Sequence, residues 1–406
     1  MQAVQFPPSP ETKKLRTIER LGLTAAALAL AMAAMLVVPL GAAGFVTVSF
    51  AGSAAMFFYL WRRVDDWLAA AIVAAGLGGL YRVAGAPVNP GFGWDVTFAL
   101  ALFGLAALLV LFYRSTGEAG VGQRRLLALL LNVGLIPALC LGSTVAVLLD
   151  PRLTPRTYDG YLYVFDRSFG FNPSFLMGVA FHDHAALRFL SVVVYNNLPI
   201  NLCLFCALWL RRRPAGAPDV RLIFAALGIV GFALYHICPA AGPIHLFGDA
   251  FPFHPPEVSA VPMKTVAIPD ARNAMPSLHV AWCLLMVYNA WFYRSRLLRI
   301  YAAVCLILTA VATLGLGEHY AIDLIVAVPL SVAIQLGCWG TRRRWLAAGI
   351  SMGMVVAWLA VLRTGLAWQA RPLVSWSATG VTLLASAALY RYAGRAAEGV
   401  AGPGEV

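Results

Sequence analysis

Residues 94–113 read WDVTFALALFGLAALLVLFY, and their only charged side chain, Asp95, stands at the start of the run. A helix that serves the core of a soluble protein keeps one polar face, and this stretch has none. Its length matches the roughly 17–25 residues that cross a bilayer as a helix. Comparable runs recur near 21–41, 44–61, 66–84, 125–149, 186–210, 221–240, 277–293, 298–316, 319–338, 345–363 and 373–391. The expected fold is therefore all-α, a polytopic membrane protein with about twelve transmembrane helices.

Composition agrees. Of the 406 residues, 61% are hydrophobic and only 12% charged, with a mean hydropathy of +0.77. Soluble domains carry about 25% charged residues. The net charge of +12 would suit nucleic acid, but its distribution argues for topology instead. Basic residues cluster in alternate loops: Lys13 to Arg20, Arg62 and Arg63, Arg114 to Arg125, Arg211 to Arg221, Arg294 to Arg299, Arg342 to Arg344, and Arg391 with Arg395. About 21 of the 30 Lys and Arg residues fall on this side, which the positive-inside rule makes cytoplasmic. The chain is expected in the inner (plasma) membrane with both termini in the cytoplasm and an uncleaved first span. Trp61, Trp67, Trp94 and Trp339 sit near span ends, as interfacial anchors do. The seven cysteines, among them the Cys203-x-x-Cys206 pair, lie in or beside apolar spans and are read as packing residues.

Two stretches of about 35 residues, 150–185 and 242–275, are too short for an independent core and long enough for an interfacial helix or a lid. By the charge count both face the outside. Beside them stand the polar groups that invite chemistry, because ionisable residues in or at the ends of spans are costly and few. The eighth span opens with Arg272-Asn-Ala-Met-Pro276-Ser277-Leu278-His279, and the tenth with His319-Tyr320-Ala-Ile-Asp323. Both helices start on the same side, so their histidines can converge.

His319 and Asp323 stand four apart and share a helix face. A carboxylate on one imidazole nitrogen fixes the tautomer and leaves the other nitrogen nucleophilic. Pro276 and Ser277 read as a helix start, whose open N–H groups favour an anion. In that first turn, His279 can give a proton to a leaving oxygen and take one from an incoming hydroxyl. Other polar residues carry weaker signals. His182-Asp183-His184 lacks a defined metal geometry, and His236, His245 and His254 flank the outer end of the seventh span. Asn196 and Asn197 are expected to bond neighbouring helices. A transporter with proton-relay histidines is the rival of another class; no internal repeat supports it.

Pro276-Ser277-Leu278-His279 with His319-Tyr320-x-x-Asp323 resembles the type 2 phosphatidic acid phosphatase superfamily. Leu278 and Tyr320 resemble its inositol phosphorylceramide synthase-like branch; most phosphatase members have Gly where Leu278 stands. Tyr158-Asp159…Asp166-Arg-Ser-Phe-Gly170 is similar to an acidic stretch upstream in that branch. The resemblance spans a six-helix catalytic core at 125–338, leaving an N-terminal extension at 1–124 and a two-span C-terminal extension at 339–406. It implies a metal-independent lipid phosphatase or phosphotransferase with no cofactor, working through a phosphohistidine on the outer membrane face. His319 would be the nucleophile, Asp323 its orienting partner and His279 the general acid and base. The substrate would be a lipid phosphate or phospholipid in the membrane. The acceptor would be water, inositol or a lipid alcohol, and an undecaprenyl-diphosphate- or phosphatidate-type phosphatase is the alternative.

The chain also departs from that superfamily. It has no clean Lys-x6-Arg-Pro, and Thr313 holds the position of an Arg six residues before the nucleophile. Positive charge for the phosphate must come from elsewhere. Arg272 is the first candidate, then Lys264 and Arg188, with Ser277 and Tyr320 as further substrate contacts.

Overall fold

The structure is a computed structural model and describes residues 40–83, 94–261, 263–366 and 371–395. Residues 21–39 of the expected span at 21–41 and the basic cluster Lys13 to Arg20 lie outside the described residues, as does the side chain of Trp94. The described residues form helices and turns without a sheet; one isolated bridge joins Thr157 and Val266. Among the described residues seven helices are long and apolar enough to cross a membrane, or eight if one bent pair counts as a single span. Against the twelve expected, the apolar helices at 44–60, 278–293 and 321–337 fall short of that length.

Contacts divide the chain into two units, residues 1–144 with 199–207 and residues 145–198 with 208–406. The first contains α1 (Leu40–Leu60), α2 (Val64–Val83), α3 (Trp94–Gly117) and most of α4 (Val121–Leu153). Helix α3 packs on both α1 and α2. A buried carboxylate, Asp66, ties this unit together by accepting from Arg114 and from the Trp61 indole, each at 2.8 Å.

The second unit carries the chemistry-bearing motifs. It runs through α5 (Asp159–Arg167), α6 (Pro173–Asp183) and α7 (Ala185–Asn196). The helix α8 (Leu198–Arg212) is shared with the first unit. Beyond it come α9 (Val220–Ile237), the short α10 (Pro243–Phe247), α11 (Leu278–Ala290), α12 (Arg296–Gly315), α13 (Ala321–Gly337), α14 (Arg342–Thr364) and α15 (Pro372–Arg395). The structure corrects one expected span. Residues 186–210 are broken at Asn197, and Pro199 starts a new helix because its ring prevents the old one from continuing. Instead α7 pairs with α6 across a bend of 115°.

Helix α11 is the hub, packed against α9, α12 and α13. Its deep end is pinned to α13 by a reciprocal amide pair: Asn289 Nδ2 donates to Gln335 Oε1 at 2.9 Å and Gln335 Nε2 to Asn289 Oδ1 at 3.3 Å. Such polar pairs inside a bundle fix the register of neighbouring helices. The two stretches expected to form lids are ordered cover. Phe247 and Phe251, from 242–275, pack edge-on against Phe175 of α6, at 5.7 and 5.1 Å between ring centroids.

Candidate functional site

The site is built where α11 and α13 begin. His319 lies in the turn before α13, not on the helix as its spacing suggested; Tyr320 is the N-cap residue and Asp323 sits in the first turn. Both backbone groups of His319 are held. Its N–H donates to Thr313 O at 3.2 Å, and its carbonyl accepts from Ser174 Oγ at 2.9 Å. Thr313, standing where the superfamily has an Arg, thus anchors the turn through its carbonyl and turns its hydroxyl back to Ala310 O.

The imidazole of His319 is buried. Its Nδ1 lies 2.8 Å from Ala274 O and 3.4 Å from Asp323 Oδ2. A carbonyl only accepts, so Nδ1 carries the proton and Nε2 of the neutral ring is bare. Nε2 faces the Ser277 hydroxyl at 3.4 Å. Ser277 occupies the N-cap position of α11 without making a side-chain capping bond; the Leu278 N–H is engaged by the Tyr235 hydroxyl, and the rest of the helix start favours an anion. His279 lies in the first turn of α11, its ring centroid 6.3 Å from that of His319 and stacked at 4.3 Å on Tyr195.

Behind His319 is a set of buried carboxylates. Asp323 Oδ2 accepts from Tyr320 N at 2.8 Å. Asp166 of α5 accepts the first two N–H groups of α13, Ala321 at 2.6 Å and Ile322 at 3.1 Å. Asp159, seven residues earlier and so on the same face of α5, accepts from Ala241 N and Gly242 N and from the Tyr320 hydroxyl at 3.1 Å. Burial pushes the carboxyl of Asp166 up to about 8, against the opposing pull of its N–H partners. Burial likewise raises Asp159. The N-terminal pole of α13 is therefore filled by the protein's own carboxylates, whereas at that of α11 Ser277 makes no side-chain cap.

The proposed cations are placed differently from the expectation. Arg272 is buried, with its guanidinium donating to the carbonyls of Asp270, Ile268 and Pro155, and burial lowers its basicity. Lys264 and Arg188 are exposed. Tyr320 is buried with its hydroxyl engaged by Asp159. Among the described residues, no Lys or Arg is bonded to Ser277, His319, Tyr320 or Asp323.

Two further histidines find carboxylates. His236 pairs with Asp150 at 2.9 Å. His245 lies between Asp270, at 2.7 Å, and Glu318, at 3.5 Å, the residue just before His319. The Glu318 hydrogen bond, then its charge and that of Asp270, raise the imidazole above its usual range despite partial burial. His182 bonds only its exposed neighbour Asp183.

The structure brings together the two histidines, Ser277 and Asp323 that the sequence singled out. Sequence reasoning gave no role to Tyr195, Ser174 or Glu318, nor to the Ala274 carbonyl. Asp159 and Asp166 had a signal that was legible: two acids two turns apart bracketing the apolar Leu162 to Phe165.

This pairing of histidines at two helix starts can be set against known families. Residues 160–337 match the PAP2 superfamily model. All eight candidate site residues fall inside the matched segment, and Asp159 stands one position before it. The match supports the superfamily read from the sequence, and the PAP2 superfamily suggests a membrane phosphatase or phosphotransferase. Neither a curated protein nor a solved structure matches the chain.

Proposed function

We propose that this protein transfers a phosphoryl group from a membrane lipid through a covalent intermediate on His319. The observation that carries this reading is the bare Nε2 of His319 beside the Ser277 hydroxyl, facing His279 across 6.3 Å between ring centroids. In the first step Nε2 attacks phosphorus, the bond from phosphorus to the leaving oxygen breaks, and His279 supplies that oxygen's proton. In the second, an acceptor hydroxyl gives its proton to His279 and attacks phosphorus, and the phosphorus–nitrogen bond breaks. Asp323 and the Ala274 carbonyl stabilise the imidazolium character that develops at Nδ1, while Ser277 and the N-terminal end of α11 meet the phosphate oxygens. This route needs no metal or cofactor.

The charge around the site favours one substrate class. Among the described residues no Lys or Arg is bonded to Ser277, His319, Tyr320 or Asp323, and Arg272 is occupied by backbone carbonyls. A phosphodiester brings one negative charge and a monoester up to two, so the diester is the better fit to a helix terminus with about half a unit charge. A phospholipid donor, with inositol or another lipid alcohol as acceptor, is therefore preferred over a lipid monophosphate with water. Phosphatase action on undecaprenyl-diphosphate- or phosphatidate-type lipids is the second reading, favoured by the superfamily match. The basic loops support a site on the extracytoplasmic side of the inner membrane.

The test uses purified protein and phospholipid labelled in its head-group phosphate. The expected result is label on an added alcohol, with His319→Ala and His279→Ala both inactive yet folded. Label released only as a phosphomonoester, with none on the added alcohol, would move the assignment to hydrolysis. Undiminished turnover in His319→Ala would overturn the site.

A further inference from the structure

Far from the histidines, at the arginine-rich start of α14, a groove of about 350 Å³ runs between α13 and α14. Its walls are Ala333, Ile334 and Gly337 from α13 and Trp345, Gly349 and Met352 from α14. The volume lies within the roughly 300–1,000 Å³ of small-molecule sites. No charged side chain lines it. Trp345 and Met352 stand seven positions apart, roughly 10 Å of helix rise. That fits within one leaflet of a hydrocarbon core about 30 Å thick.

The charge above the groove identifies its occupant. Arg342, Trp345, Gly349 and Met352 recur at three- and four-residue steps, so they share one face of α14, with Arg342 at the head. The neighbouring Arg344 is not available: it is buried, lies 3.8 Å over the Trp339 ring, and donates to the carbonyls of Trp339 and Ala393. Arg342 and Arg343 are exposed. An apolar slot of this length beneath free guanidinium groups matches a lipid tail attached to a negative head group, and basic pockets between membrane helices bind such head groups.

We propose that this groove binds one anionic glycerophospholipid, its acyl chain between α13 and α14 and its phosphate on Arg342. The site is separate from the histidines and does not depend on their function. Gly349 leaves the floor open, since a Cβ added there would meet nothing within 4 Å.

The full chain in nanodiscs can be photolabelled with phosphatidylglycerol or phosphatidylcholine bearing a diazirine on the acyl chain. In wild-type protein, phosphatidylglycerol should label 333–352 about five-fold more than phosphatidylcholine, the preference expected of one interfacial guanidinium. Gly349→Leu should abolish that labelling by filling the groove. Arg342→Gln should reduce phosphatidylglycerol to the phosphatidylcholine level. Both variants should keep the wild-type melting temperature and elution volume in detergent, which certifies their fold. Equal labelling by the two lipids, or a preference unchanged in Arg342→Gln, would overturn the proposal.

Discussion

The Nδ1 atom of His319 is nearer to the carbonyl oxygen of Ala274, at 2.8 Å, than to the carboxylate of Asp323, at 3.4 Å. The tautomer that exposes Nε2 is therefore enforced by backbone, and Asp323 serves mainly to stabilise charge on the ring. Where a carboxylate alone fixes a catalytic histidine, its amide replacement costs about 10⁴-fold, because the wrong tautomer results. Here Asp323→Asn should cost only about 10–100-fold in kcat, the range of a supporting partner. Phosphoryl-transfer kinetics on the folded variant check this, and a loss near 10⁴-fold would show that the carbonyl does not hold the proton in place.

Asp166 reaches across from α5 to satisfy the first two N–H groups of α13, a task usually done by a helix's own cap residue. Asp166→Ala would leave both donors buried without a partner, at about 1–3 kcal/mol each. Asp166→Asn keeps one acceptor oxygen. Thermal unfolding in detergent should rank wild type above Asn and Asn above Ala. Equal melting temperatures would mean that α13 starts without this support.

His245 makes stability depend on pH in a defined direction. Glu318 and Asp270 raise its folded value above the ordinary imidazole value of about 6.5. The folded chain therefore holds this proton more tightly than the unfolded one. The contribution is complete below about pH 6.5 and disappears as the pH rises through the raised value. Asp166, raised to about 8, acts in the same direction, so the readout is the difference between wild type and His245→Gln. The gap in melting temperature between them should be widest near pH 6 and close toward pH 9. A gap independent of pH would show that the imidazolium is not what holds Glu318.

The membrane character and the two motifs were legible because hydropathy and the scarcity of ionisable residues are properties of composition and spacing. Pro276 to His279 and His319 to Asp323 could be placed at helix starts for the same reason. The break at Asn197 was not legible, since 186–210 is apolar throughout and Pro199 is compatible with a kinked span. Nor was the fate of Arg272, because the carbonyls of Ile268 and Pro155 reach it only after the loop folds. The carboxylates of α5 were visible as residues, but their partners, the N–H groups of α13, lie some 155 positions away along the chain.

Leu278, found where most phosphatase members of the superfamily have Gly, is accommodated by Gly231 of α9. A Cβ on Gly231 would come within 2.2 Å of Leu278 Cδ2, so the two residues form one steric unit. Ser277 and His279 flank Leu278, and pressure on it passes directly to both. Gly231→Ala should therefore destabilise the fold by about 1–3 kcal/mol, as overpacking does, and lower turnover as well. Leu278→Ala removes the clash and leaves a cavity, costing about 2–5 kcal/mol by itself. The double variant should be more stable than the sum of the two losses predicts, a coupling of about 0.5–3 kcal/mol. Strict additivity in the double-mutant cycle would show that Leu278 does not lean on Gly231, and that the start of α11 is positioned by other contacts.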